Sequence, residues 1–322
     1  MAQVAGTFRT NDMIGIREDL TDAIYNISPK ETPFMSSIAR VSGEATRHEW
    51  QTDSLAAASG SNAQIEGDDA TFATLSPTTR VSNIMQISRK AIVVSGTSRA
   101  VNTAGRSDEF EYQAAKAAAE IKRDMETILL SNQDSTVGTV TTARKLGGLE
   151  AWFTSNVSRG GGGASGGFSN GIVAAATDAS AGGVRSFTEA LLKTVISSCW
   201  SAGGMPDTVM VGPFNKQAAS TFAGIATQYR ENKGVKQATI LAAADVYVSD
   251  FGELKIVPNR FQRDRSALVL EMDKWAVGYL RPFKTEKLAK TGDADKAMMT
   301  VEYTLVSRNQ AASGVVADLR TS

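Results

Sequence analysis

Ser54-Leu55-Ala56-Ala57-Ala58-Ser59-Gly60-Ser61-Asn62, followed by Glu66-Gly67-Asp68-Asp69, is the polar centre of residues 44–98, which read as a long arm and not as part of a core. Between Glu44 and Leu75 the only large apolar residues are Trp50, Leu55, Ile65, Phe72 and Leu75. Two strand-like runs flank this tip, Thr46 to Asp53 going out and Thr78 to Ser95 coming back. A segment so poor in apolar side chains cannot bury enough surface to offset the entropy of ordering it. It is either disordered or ordered by something outside its own chain.

Working outward from the arm, the preceding residues form a first section. Ser28-Pro29-Lys30-Glu31-Thr32-Pro33-Phe34-Met35 places two prolines four apart, which predicts extended backbone. Phe34, Met35 and Ile38 then read as the anchors of a strap lying on another surface. Arg17 to Ile27 is weakly helical.

After the arm comes the clearest helix, predicted over 108–130 with Ser107 as its N-cap and Asp108 and Glu109 at its positive end. Phe110, Ala114, Ala117, Ile121, Met125 and Ile128 recur at spacings of three and four, while Lys116, Glu120, Lys122 and Arg123 take the other face. At 1.5 Å per residue it would be roughly 35 Å long, a spine. Thr136 to Arg144 and Gly147 to Phe153 suggest a hairpin region anchored by Trp152 and Phe153. The glycine-rich residues 159–183 read as a mobile or surface-hugging loop.

From Ser186 a second unit begins, with Ser186 and Glu189 as a capping box ahead of Leu192, Val195, Ile196 and Cys199. Thr208 to Val211 is a short buried strand, and Gly212-Pro213 opens a further helix through Ala218, Phe222 and Ile225. Strands follow at Asp245–Ser249, Leu254–Val257, Ala267–Glu271, Trp275–Leu280 and Met299–Ser307. Helices and strands mix without a βαβ rhythm, which makes the class α+β.

Composition narrows the function. Apolar content of 42% is that of a foldable chain, and 34 basic residues balance 34 acidic ones. A duplex binder that works by neutralising phosphates needs a basic surplus, which is missing here. No apolar run is long enough for a membrane-spanning helix, and one cysteine cannot form an internal disulfide.

The catalytic patterns fail one by one. Gly161-x-Gly163-x-x-Gly166 fits the dinucleotide fingerprint without the strand before it or the helix after it. Gly163-x-Ser165-x-Gly167 fits a nucleophile elbow, but the single histidine, His48, lies upstream in the arm, so a hydrolase serine at Ser165 has no base after it. Cys199 lies on an apolar helix face, where a thiol behaves as a small hydrophobe; a Cys199–His48 pair would need two distant sections to meet. No acidic or His/Cys cluster has metal-ligand spacing. No catalytic residue, cofactor or metal is expected.

The order of sections resembles the major capsid proteins of tailed bacteriophages, which share the Hong Kong 97-type fold. The residues that carry the resemblance are Ile27-Ser28-Pro29-Lys30-Glu31-Thr32-Pro33-Phe34-Met35-Ser36-Ser37-Ile38 near the start and Thr304-Leu305-Val306-Ser307-Arg308-Asn309-Gln310-Ala311-Ala312 near the end. The resemblance implies an N-terminal arm at 1–43, an extended loop at 44–98, a peripheral domain from 99–185 and 250–322, and an axial domain at 186–249. It implies a virion subunit, assembled in the host bacterial cytoplasm as hexamers and pentamers of an icosahedral shell around double-stranded DNA. A separate scaffolding protein, a portal and a decoration protein are the implied partners, with weak, non-specific DNA contact and no membrane. Phe34, Met35, Ile38, Trp50, Ile65 and Phe72 are the implied subunit-interface residues. Some members of the fold cross-link a loop lysine to an asparagine; the arm from Glu44 to Arg89 has no lysine, so non-covalent contacts are expected. A cellular encapsulating nanocompartment would share the same layout.

Overall fold

A computed structural model describes residues 30–70, 72, 74–101, 108–222 and 245–321. Its axis is α3 (Glu109–Leu130), capped by Asp108, whose carboxylate accepts from the Phe110 N–H at 2.8 Å. The predicted cap, Ser107, lies outside the described residues. Ala117, Ile121, Met125 and Leu129 form one buried row at spacing four, as the periodicity requires.

That row packs under a four-stranded sheet ordered β1 (Ala39–Ser42), β12 (Trp275–Leu288), β13 (Ala294–Ser307), β4 (Gln86–Ser95). β1 runs parallel to β12; the other pairs are antiparallel. β12 and β13 form a hairpin of two 14-residue strands, longer than those predicted at 275–280 and 299–307. The outer half of β12 is missed in sequence because residues 281–288 are all exposed and bury no alternating face.

A second, six-stranded sheet is ordered β5 (Val157–Ser158), β14 (Gly314–Ala317), β11 (Ser266–Leu270), β8 (Thr208–Val211), β10 (Gly252–Pro258), β9 (Val246–Ser249). α4 (Glu189–Ser201) covers it, and Leu192, Val195, Ile196 and Cys199 meet Val209, Val211, Val269 and Val316 in a separate core. A boundary at 250 would cut this sheet. Every residue of β8 is buried, and its two edges are satisfied by β10 and β11, so 252–258, 266–270 and 314–317 complete the unit begun at 186.

Four local expectations change. Pro33 does not hold the strap extended; it occupies the first position of the short helix α1 (Pro33–Ser37), where a missing N–H costs nothing. The capping box at Ser186 is absent: Thr188 precedes α4, and Glu189 instead accepts from the Tyr247 hydroxyl at 3.0 Å and the Lys193 ammonium at 2.8 Å. Gly147–Phe153 is no strand, since Leu149–Trp152 forms a 3-10 turn. In the glycine-rich region, β6 (Gly167–Ser169) and β7 (Ile172–Ala174) form a hairpin through Asn170 and Gly171, at φ 50° and 80°. The helix α5 (Pro213–Ala219) begins as predicted; Ile225 and the weakly helical 17–27 lie outside the described residues.

Candidate assembly surfaces

The arm leaves the body on a fixed base. β2 (Arg47–Thr52) and β3 (Thr79–Ile84) pair antiparallel, with Trp50 opposite Val81. The base is tied to β13 through polar groups. The Asn83 amide donates to the Leu305 carbonyl at 2.8 Å and the Gly147 carbonyl at 3.1 Å, and the Thr304 hydroxyl donates to the Ile84 carbonyl at 2.9 Å. The Trp50 indole N–H reaches the Ser307 carbonyl at 2.8 Å, and its ring lies 5.8 Å from that of Trp152, which stacks on Phe168.

Among the described residues, no strand lies between Thr52 and Thr79. Leu55, Ile65, Phe72 and Leu75 are 99%, 79%, 96% and 91% exposed, a set of large apolar side chains facing water on one segment. Where the arm meets the body it overhangs a cavity of about 1060 Å³ lined by Leu55, Leu75, Val81, Trp152, Phe168 and Ala311.

The residues expected at subunit interfaces therefore separate. Ile65 and Phe72 stand free on the arm. Trp50 is half-buried and spends its N–H inside its own chain. Phe34, Met35 and Ile38 are buried in the core of their own chain, which corrects the reading of them as a strap docked under a neighbour.

That burial is set by Glu126 on α3, itself fully buried although the helical spacing puts it opposite the row from Phe110 to Ile128. Its two oxygens accept from the Phe34 N–H at 2.8 Å and the Met35 N–H at 2.9 Å, so the carboxylate sits on the free amides opening α1. The Asn259 amide adds a third donor at 2.7 Å. Burial nonetheless holds this carboxyl above the ordinary glutamate range, with the three donors pulling the other way.

A second polar cluster fixes the glycine-rich segment. Arg263 reaches Glu150, itself fully buried, through Nε at 2.7 Å, and Asp178 through both terminal nitrogens at 2.7 and 2.8 Å. The Arg263 guanidinium holds the Asp178 carboxyl below the usual aspartate range. Asp318 accepts from the Gly160 N–H at 3.0 Å and the Ala179 N–H at 2.7 Å. Gly160 must be glycine, because a Cβ there would collide with the Gly183 carbonyl. The segment hugs the surface and is tied to it.

The groups weighed for catalysis stay apart. Cys199 is buried between α4 and the six-stranded sheet, where burial pushes its thiol up to about 12. His48 stands beside Trp50 on β2, and burial lowers its pKa. Ser165 is exposed in the glycine-rich segment.

The comparisons agree with an assembly role. The family model described as SU10 major capsid protein matches residues 3–320. The major capsid protein of Escherichia phage Phieco32 is 30% identical over 350 residues, covering 96% of each chain. A structure from Gordonia phage Cozz superposes with a TM-score of 0.60 at 12% identity, covering 99% of this chain and 98% of that one. The SrpI encapsulin of Synechococcus elongatus PCC 7942 gives a TM-score of 0.54 at 12% identity, covering 95% and 94%. At such identities these two structures share the fold alone. With its family model spanning nearly the whole length, this chain belongs to the SU10 major capsid protein family of tailed-phage virion proteins.

Proposed function

We propose that this chain closes into an icosahedral shell of hexamers and pentamers around double-stranded DNA, in the Hong Kong 97-type layout. The observation that carries the reading is the arm: four large apolar residues held in water on a segment whose base is locked to β13. An ordered base presenting an unsatisfied tip is a contact waiting for another chain. Each such contact is modest, but a subunit in a closed lattice makes many at once.

In this layout the extended loop expected at 44–98 ends before β4, whose residues 86–95 join the four-stranded sheet; that sheet with α3 is the peripheral part, and the six-stranded sheet with α4 is the axial part. The shell is held without a lysine cross-link from the loop, because the first lysine after Glu44 is Lys90, which is paired to Asp124 at 2.9 Å. Scaffolding, portal and decoration proteins complete the set of partners. Equal numbers of acidic and basic residues suit a shell that holds DNA without gripping it. A nanocompartment shell has the same fold, but the relative matched in sequence is a phage capsid protein, which favours the virion.

Deleting residues 54–70 tests the reading. Particles should disappear from electron micrographs, while the circular dichroism and melting temperature of the purified subunit stay as in the wild type. Normal shells from the deletion would refute it.

A further inference from the structure

The polar cluster that fixes the glycine-rich segment is out of balance. It brings four guanidinium groups, Arg159, Arg185, Arg263 and Arg265, to three carboxylates, Glu150, Asp178 and Asp318. All three carboxylates are committed. Glu150 accepts from Arg263 and from the Ser266 hydroxyl at 3.1 Å. Asp178 accepts from both terminal nitrogens of Arg263, with Arg265 Nε at 3.9 Å. Asp318 takes the Gly160 and Ala179 N–H groups, with a terminal nitrogen of Arg265 at 3.7 Å. Asp264, between the two arginines in the chain, turns instead toward Gly212 at the start of α5.

Arg159 is the cation left over. Its Nε and both terminal nitrogens are buried, and none of them meets an acceptor among the described residues. Arg185 spends one terminal nitrogen on the Ser158 hydroxyl at 2.9 Å and the Ala317 carbonyl at 3.2 Å, while its Nε is likewise buried without an acceptor. The two guanidinium groups repel one another: burial lowers the Arg185 pKa, Asp318 raises it and Arg159 lowers it again. A buried charge without a partner is costly, and buried N–H donors without acceptors add to the cost. An anion with several acceptor atoms removes both penalties.

We infer that Arg159, with Nε of Arg185, forms a binding site for a small oxyanion of the phosphate class. A guanidinium presents its N–H groups in a planar fork that matches phosphate or sulfate oxygens two at a time. Because these nitrogens are covered, a small free ion suits them better than a side chain threaded in from a second copy. The chain beside them leaves room: residues 160–163 are all glycine, and Gly161 and Gly162 are exposed with open space where a Cβ would stand. The ion ties the end of β5, at Arg159, to the lead into α4, at Arg185. It belongs to the folded subunit, and the inference does not rest on the shell reading.

Thermal melting of the purified full-length protein tests this, with inorganic phosphate raised from about 1 to about 100 mM and ionic strength held constant with sodium chloride. The melting temperature should rise by about 2 °C or more over that range, since a ligand bound only by the folded state stabilises it by mass action. Arg159→Met should abolish the rise, and at the lowest phosphate it should melt no lower than the wild type, because an uncompensated charge has gone. Arg159→Lys keeps the charge and loses the fork, so it should need about tenfold more phosphate for the same rise; it also keeps the test decisive if the Met variant does not fold. A wild-type melting temperature that ignores phosphate, or an equal rise in either variant, would overturn the site. A short DNA duplex at the same phosphate concentration separates the two sources of this chemistry. It should shift the melting temperature less than the free ion, and a shift given by the duplex alone would make Arg159 a nucleic-acid contact and overturn the inference as well.

Discussion

Glu126 is the residue on which the N-terminal strap depends. It replaces solvent for two backbone amides of α1 and is fully buried against Asn259. Gln at this position keeps one acceptor oxygen and turns an amide toward a backbone N–H, leaving a buried donor without a partner. Glu126→Gln should therefore cost about 1–3 kcal/mol in a urea titration of the subunit. The pH dependence follows from the raised carboxyl. The native state holds this proton more tightly than the unfolded chain, so the contribution is full below the ordinary value of 4.5 and is lost as pH rises through the native value. In the Gln variant, stability should be flatter with pH just above 4.5 than in the wild type; an identical slope would show that Glu126 does not titrate there.

At the scale of elements, what could be read in sequence is what repeats. The α3 row of Ala117, Ile121 and Met125, the buried β8 and the start of α5 at Pro213 all follow from spacing or from a breaker residue. What could not be read depends on partners far away in sequence. Nothing local says that 314–317 is the strand between β5 and β11, or that Trp50 belongs to Ser307. The β6–β7 hairpin is a different kind of miss, because Asn170-Gly171 is the residue pair that a tight type I′ turn demands, and the glycines around it hid the signal. Gly171→Val places a β-branched residue at φ 80° and should destabilise the subunit by about 1–3 kcal/mol, with loss of the near-ultraviolet signal of the Trp152–Phe168 stack. An unchanged spectrum and melting temperature would mean that the turn does not set the hairpin. The assembly surfaces divide the same way: exposed Ile65 and Phe72 are visible as apolar residues in a polar run, whereas the burial of Phe34 and Met35 requires Glu126, 92 and 91 positions on.

Taken as a whole, the molecule has its arm mounted by contacts that close very late along the chain. Asn83 with Leu305, Ile84 with Thr304 and Trp50 with Ser307 join residues separated by 222, 220 and 257 positions. Loops of that length are slow to close and give nothing back until both ends exist. A chain truncated after residue 300 should therefore exchange its β2–β3 amide hydrogens far faster than the complete chain, and strong protection in the truncated form would contradict this. During synthesis, β13 leaves the ribosome after β1–β12, so a nascent chain that has not reached it holds its arm without a mount. Vectorial synthesis therefore delays the mount: the β2–β3 base of a ribosome-bound chain is expected to stay unprotected until β13 has emerged.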